Sequence, residues 1–250
     1  MSRIMCYRCF WPKELCWCQS LEPIETRTRF VFLMHPKEYK QEKAATGRLT
    51  HLCLPNSSLH MGMAFDHDAQ VQAILSDPRH HAVLLYPGAS ALNLSEPATA
   101  EADPLAEALG GGAKTLLVVI LDATWSGARK MLRVSPSLQR LPRIMFTPGD
   151  TSRYVIKQQP QAGCLSTLEA THELLTVLEA RGLDRYTRPR HLLEVFARMQ
   201  DFQIKCASDP SKGGYRRRPY SEPSERMPAH GRSGRRRENY LKVGAARPGA

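Results

Sequence analysis

The stretch that most constrains this chain is Thr115 to Leu132, TLLVVILDATWSGARKML. Its first part, Leu116 to Leu121, is a continuous apolar run rich in β-branched residues. A strand of that composition needs cover on both faces, which is the condition of a strand inside a parallel sheet. The run stops at Asp122 and the period then changes. Trp125, Ala128 and Leu132 recur at helical spacing, with Arg129, Lys130 and Arg133 on the other faces. An acid and a large aromatic ring therefore stand where a buried strand hands over to a helix. In open α/β sheets, ligands bind in the crevice outside that end of the strands.

The rest of the chain supplies partners for such a strand. Arg29 to Met34 reads as a first strand, and Gln41 to Leu54 as a helical stretch. Val71 to Leu75 reads as a short helix and His81 to Tyr86 as a second buried strand. Leu94 to Leu109 with Gly110 to Gly112 reads as a loop, a short helix and a flexible joint, and Arg143 to Thr147 as another strand. A helix opens at Ser166 and runs to about Arg181, where Ser166 followed by Glu169 fits a capping box. The same helix N-terminus can also hold a carboxylate, so a cap and a ligand site are compatible there. Pro189 to Cys206 forms an amphipathic helix with Leu192, Leu193, Val195, Phe196 and Met199 as apolar positions. No G-x-G-x-x-G follows the first strand and no G-x-x-x-x-G-K-[ST] occurs, which excludes a dinucleotide fingerprint and an ordinary P-loop.

Cys6, Cys9, Cys16 and Cys18 form C-x2-C-x6-C-x-C. Four thiolates at this spacing suit a tetrahedral Zn²⁺ that closes a small knuckle, structural because four cysteines leave no open coordination position. So short a segment buries little apolar surface, and the metal supplies most of its folding free energy. A disulfide pair or reactive thiols are the alternatives. The N-terminus MSRIMCYRCF has no signal-peptide core and no apolar run approaches a membrane span, so the expectation is a cytoplasmic chain with mostly reduced cysteines and no membrane contact. Trp11 and Trp17 lie inside the knuckle, either to stack on nucleic-acid bases or to pack around the metal.

The net charge of +11 is unevenly placed, because twelve Lys/Arg stand against four Asp/Glu from Lys205 onward. That tail carries the triplets Arg216, Arg217, Arg218 and Arg235, Arg236, Arg237 and too few apolar residues to fold alone. It reads as a mobile, sequence-blind grip on RNA phosphates, or as a solubilising tail.

Asp122-Ala123-Thr124-Trp125 resembles the Asp-x-Thr-Trp signature of the DTW-domain family, the tRNA-uridine aminocarboxypropyltransferases. Other blocks follow in that family's order: the cysteine knuckle, His35-Pro36-Lys37-Glu38 with Ala45-Thr46-Gly47-Arg48 behind it, Tyr86-Pro87, and Ser166-Thr167-Leu168-Glu169-Ala170. The match runs from Cys6 to about Arg181 and leaves the arginine-rich tail outside. Ala123 stands where glycine is common, which raises the question whether the backbone there needs positive φ. Gln158-Gln159 depart from a basic element that begins at Lys157.

The resemblance implies an α/β fold similar to the SPOUT class, a parallel sheet flanked by helices with a C-terminal knot around S-adenosyl-L-methionine. The implied domains are a knuckle over 1–25, a catalytic domain over 26–206 and a disordered basic tail over 207–250. The implied reaction moves the 3-amino-3-carboxypropyl group of S-adenosyl-L-methionine to N3 of a tRNA uridine, at position 47 of the variable loop in the bacterial branch, and releases methylthioadenosine. Asp122, Thr124 and Trp125 are the implied catalytic group, with Asp122 the general base because uridine N3 is a poor nucleophile until it loses its proton. Tyr86, Pro87, Ser166, Thr167, Glu169 and Arg48 are implied around the cofactor, and His35 and Lys157 with the tail arginines on RNA. Residue by residue, the alternatives are a loop histidine at His35, a surface arginine at Arg48, a core ring at Trp125 and a plain helix cap at Ser166. Competing functions are a SPOUT-type RNA methyltransferase using the same cofactor and a non-catalytic zinc-knuckle RNA-binding protein. Both a monomer and a homodimer fit the sequence.

Overall fold

The structure is a computed structural model that describes residues 4–13, 16, 18–41, 45–97, 103–149, 151–156 and 163–209. Its elements are β1 (Arg29–Met34), α1 (Pro36–Gln41), α2 (Thr46–Cys53), β2 (Ser57–Met61), α3 (Ala69–Leu75), β3 (His80–Leu85), β4 (Leu92–Asn93) and α4 (Pro104–Ala108). There follow β5 (Thr115–Asp122), α5 (Trp125–Arg133), α6 (Pro136–Gln139), β6 (Arg143–Met145), α7 (Thr167–Ala180) and α8 (His191–Ser208). The strands form one six-stranded sheet in the order β2-β1-β5-β3-β6-β4, with every pairing parallel.

The apolar run of the sequence is the spine of this sheet. Every residue of β5 from Leu116 to Asp122 is buried, with β1 on one side and β3 on the other. Successive side chains on a strand point to opposite faces. Leu116, Val118 and Ile120 accordingly join Phe30 and Phe32 in a core shared with Leu49, Leu168 and Val195 of α2, α7 and α8. Leu117, Val119 and Leu121 join Val31 and Leu33 in a second core with Val71, Met131 and Leu138 of α3, α5 and α6. Each such fully buried side chain contributes ~1.5–3 kcal/mol relative to exposure, so a doubly covered strand tolerates little change.

Three differences from the sequence reading have physical causes. The stretch from Gln41 to Leu54 is not one helix; α1 opens at Pro36, where a missing N–H costs nothing, and α2 starts afresh at Thr46. The edge strand β2, SSLHM, is half-exposed and polar, and pairing with β1 rather than periodicity makes it a strand. β6 stops at Met145 instead of Thr147, and the chain then leaves the sheet. Residues 98–102 and 157–162, the tail arginines from Arg216 to Arg237, Lys157 and Trp17 lie outside the described residues.

Buried polar groups tie the later segments to this frame. The Asp184 carboxylate accepts the Arg27 and Thr28 N–H groups at 2.7 and 3.0 Å, fixing the entry to β1 against the end of α7. Gln200 of α8 accepts the Val155 N–H at 2.6 Å and donates to the Arg153 carbonyl at 3.1 Å. Trp11 packs edge-on against Phe202 of α8, with centroids 5.3 Å apart, so its ring is a docking contact of the knuckle and not a free stacking platform. No helix among the described residues is long and apolar enough to cross a membrane.

Candidate active site

Asp122 closes β5 opposite Met34 of β1, and its carbonyl accepts the His35 N–H at 2.9 Å. The carboxylate is only 5% exposed, and its Oδ1 accepts the Thr167 hydroxyl at 2.5 Å. The turn that follows builds α5: the Thr124 hydroxyl accepts the Gly127 N–H at 3.2 Å and caps the helix. Among the described non-glycine residues only Phe10 has a positive φ, so the Ala123 position demands no glycine. The close approach is instead at Gly127, where an added Cβ would stand 3.2 Å from both the Ala123 Cβ and the Thr124 Oγ1.

The first turn of α2 lies against the carboxylate of Asp122. A Cβ on Gly47 would fall 2.4 Å from Asp122 Oδ2 and 2.5 Å from its Cγ, so only glycine lets helix and carboxylate come this close. The cap position of α2 is Ala45, which supplies no side-chain acceptor, and a negative charge at a helix N-terminus is favourable by ~0.3–1 kcal/mol. The small residue of the Thr46-Gly47-Arg48 block thus has a specific physical role.

Beyond Asp122, the carboxyl ends of β3, β5 and β6 open into a cavity of about 290 Å³. Its walls are Leu85, Tyr86 and Pro87 after β3, Ile120, Leu121 and Ala123 on β5 and its turn, and Trp125 and Ala128 of α5. Met145, Phe146, Thr147 and Pro148 close it from β6, and Gly163, Leu165, Thr167 and Ala170 from the start of α7. The volume is at the small end of the range for ligand sites, and the combination of apolar walls with a few convergent polar groups is typical of them. Trp125 is half-buried, its ring 6.2 Å from that of Tyr86 and tilted by 59°, so it is a wall of the cavity rather than a core residue.

The structure therefore brings Tyr86, Pro87, Trp125 and Thr167 to one cavity, with Asp122 directly beneath Thr167. Ser166 and Glu169 stand behind it. They form the capping box anticipated from sequence, and the 4% exposed Glu169 also accepts the Ser152 hydroxyl at 2.9 Å and the Arg153 N–H at 2.6 Å. Glu169 thus pins the segment after β6 to the head of α7. His35 heads α1, its Nδ1 accepting the Lys37 N–H at 3.0 Å. Arg48 faces away from the cavity. It is 8% exposed, donates to the Tyr39 carbonyl at 2.7 Å, and packs in the corner formed by the Phe10 and Tyr39 rings, 4.4 and 4.7 Å from their centroids. Burial pulls its guanidinium below the usual value, while Tyr39 and Asp122 pull it back up. Among the walls that sequence reasoning missed are Phe146, Thr147 and Pro148, and Gly163 and Leu165. Their only signal is position, just past a strand end and just before a helix.

In the knuckle, the four sulfurs of Cys6, Cys9, Cys16 and Cys18 lie within 4.8 Å of one another, with Cys6–Cys18 at 3.9 Å and Cys9–Cys16 at 3.7 Å. These separations are far beyond a disulfide bond of ~2.05 Å. They suit the edges of a tetrahedron built on metal–sulfur bonds of ~2.3 Å. The backbone N–H groups of Cys9 and Arg8 directed at Cys6 lower its thiol to about 6, whereas burial and the neighbouring sulfurs push Cys18 up. A cation is what allows such a cluster to hold several thiolates at once.

A family model described as the DTW domain matches residues 3–204 of the chain. The chain is 32% identical to tRNA-uridine aminocarboxypropyltransferase 2 of Drosophila melanogaster, over 76% of its own length and 74% of that protein's. It is 29% identical to tRNA-uridine aminocarboxypropyltransferase 2 of Mus musculus, over 82% and 67% of the two lengths. It is 24% identical to tRNA-uridine aminocarboxypropyltransferase A of Arabidopsis thaliana, over 81% and 82%. No solved structure matches it.

Proposed function

Because this chain belongs to the DTW-domain family, we propose that it is a tRNA-uridine aminocarboxypropyltransferase that uses S-adenosyl-L-methionine as donor. The observation that carries the reading is the cavity at the carboxyl ends of β3, β5 and β6, floored by the Thr167–Asp122 hydrogen bond. When bound, S-adenosyl-L-methionine supplies an electrophilic carbon beside its sulfonium. The apolar walls suit its adenine, and the α7 N-terminus suits its carboxylate. Tyr86, Pro87 and Trp125, which wall the cavity, would hold it there, and its alignment would decide whether the amino-acid arm or the methyl group reacts.

Asp122 is the proton acceptor in this reading, and the Thr167 hydroxyl, which lines the cavity, lies between it and the substrate. Uridine N3–H donates to Thr167 Oγ1 while the Thr167 hydroxyl proton passes to Asp122 Oδ1. The result is a nucleophilic uridine anion and a neutral Asp122. Thr124 supports the site from outside by capping α5, and Ser166 and Glu169 support it by holding the head of α7. His35, Lys157 and the tail arginines Arg216 to Arg218 and Arg235 to Arg237 are assigned to RNA, as phosphate contacts whose strength falls with salt. A SPOUT-type arrangement with a C-terminal knot belongs to the same proposal and is supported by the all-parallel sheet. The protein acts on tRNA in the cytoplasm.

Zn²⁺ on Cys6, Cys9, Cys16 and Cys18 completes the proposal, as a structural ion that folds the knuckle. Replacing Cys9, the buried ligand, with serine should abolish zinc retention and lower the melting temperature, because Phe10 and Trp11 lose their seats on Tyr39 and Phe202. Metal analysis with a thermal melt checks this, and a variant that melts like the wild type without zinc would remove the structural role.

Label transfer tests the reaction. Protein and unmodified tRNA are incubated with S-adenosyl-L-methionine labelled at the carboxyl carbon or at the methyl group. Carboxyl label in the RNA, with methyl label leaving as methylthioadenosine, is the expected result, and fragment mass spectrometry should place the adduct at uridine 47. Methyl label in the RNA would make the protein a methyltransferase, and RNA binding with no transfer of either label would make it a binding protein.

A further inference from the structure

We propose that the groove between the cysteine knuckle and α2 is a second nucleotide site, taking an unstacked base of the RNA substrate beside the one that reacts. The proposal rests on the tRNA reading above. The groove, about 630 Å³, is distinct from the cavity over Asp122 and is lined by Phe10, Tyr39, Arg8, Arg48 and His51 among others. No acidic side chain lines it among the described residues. Rings for stacking combined with cations for phosphate are the chemistry of single-stranded RNA recognition.

Phe10 gives the strongest indication. Its φ is 58°, in the left-handed region, where a residue with a Cβ costs ~1–2 kcal/mol and glycine costs nothing comparable. The turn after Cys9 would form more easily with glycine, yet a phenylalanine is held there and left 43% exposed. The ring is rigidly backed, by the Arg48 guanidinium at 4.4 Å and edge-on by Tyr39 at 5.7 Å. A pre-set platform of this kind loses little entropy on binding. Tyr7, 91% exposed, and the exposed Arg8 lie on the same turn. Arg48 also directly follows Gly47, which packs against Asp122, so α2 links the groove to the active-site carboxylate.

The experiment compares full-length wild type with Phe10→Gly, Phe10→Trp and Arg8→Ala. Phe10→Gly keeps the left-handed turn and removes only the ring; Phe10→Trp keeps a stacking surface. Zinc content, Kd for unmodified tRNA transcript, Kd for S-adenosyl-L-methionine, and kcat and KM for transfer are measured. Phe10→Gly should raise the tRNA Kd by about ten-fold, within the range for losing one base–ring stack, with the loss in KM rather than kcat. Phe10→Trp should restore it, Arg8→Ala should raise Kd several-fold, and donor affinity should be unaffected. Unchanged tRNA affinity in both Phe10→Gly and Arg8→Ala would overturn the proposal and leave the groove to another partner. A fall in kcat at constant tRNA affinity would also overturn it, making Phe10 a support for Arg48. A wild type that binds tRNA but transfers nothing would sink the transferase reading, while the affinity comparison would still decide the groove.

Discussion

Asp122→Asn should lower transfer to uridine by ~10²–10⁴-fold while binding of S-adenosyl-L-methionine is retained, the range expected when a positioned general base is removed. The substitution is nearly isosteric. Its Oδ1 can still accept the Thr167 hydroxyl, which stands 2.5 Å from Asp122 Oδ1 in the native site. What disappears is the ability to take a proton. The negative charge at the head of α2 disappears with it, but that accounts for only ~0.3–1 kcal/mol of stability. A large loss of rate with a small shift in melting temperature is therefore the signature of a base. Thr167→Val should give a comparable loss of transfer, because Asp122 is 5% exposed and Thr167 is the neighbour that lines the cavity. Near-wild-type transfer by Asp122→Asn would make the carboxylate a positioning group for α2 and Thr167. A normal rate in Thr167→Val would mean that the proton reaches Asp122 directly.

Gly47→Ala should be damaging at a place where helix propensity says the opposite. Within a helix, alanine is ordinarily more favourable than glycine by ~0.5–1 kcal/mol. Here the new methyl group would stand 2.4 Å from Asp122 Oδ2 and 2.5 Å from Cγ, and neither β5 nor α2 is free to retreat. Overpacking of this kind costs ~1–3 kcal/mol, which outweighs the propensity gain. Displacement of the carboxylate by about 1 Å would cost transfer ~10²-fold. Thermal melts and single-turnover transfer check the two effects separately. A stabilised Gly47→Ala enzyme with normal rate would show that the close approach of α2 to Asp122 is unnecessary.

The legible parts of the fold were those whose signal is local. The six-residue apolar run and the period change at Asp122 were enough to place β5 and α5, because burial on both faces and helical spacing leave marks within a few residues. The capping box of Ser166 and Glu169 was legible for the same reason. The polar edge strand β2 was not, since its strand character comes from β1 beside it. Arg48 shows the same limit at the site. Its sequence context suggests an exposed cation or a ligand contact near the cavity, but Phe10, brought in by the knuckle, covers it from the other side.

The sequence by itself determined the class of sheet, the strand-to-helix junction at its heart, the cysteine cluster and, through motifs in order, the family. Those properties depend on composition and spacing over short stretches, which any chain of this pattern carries into the unfolded state. Tertiary structure alone decided that Asp122 meets Thr167 from 45 residues downstream and Gly47 from an earlier helix. It also decided that Glu169 grips the segment after β6 and that Arg48 turns from the cavity to the groove. These contacts are set by which strand ends the parallel crossovers place side by side, a property of the assembled sheet that no local stretch of residues contains.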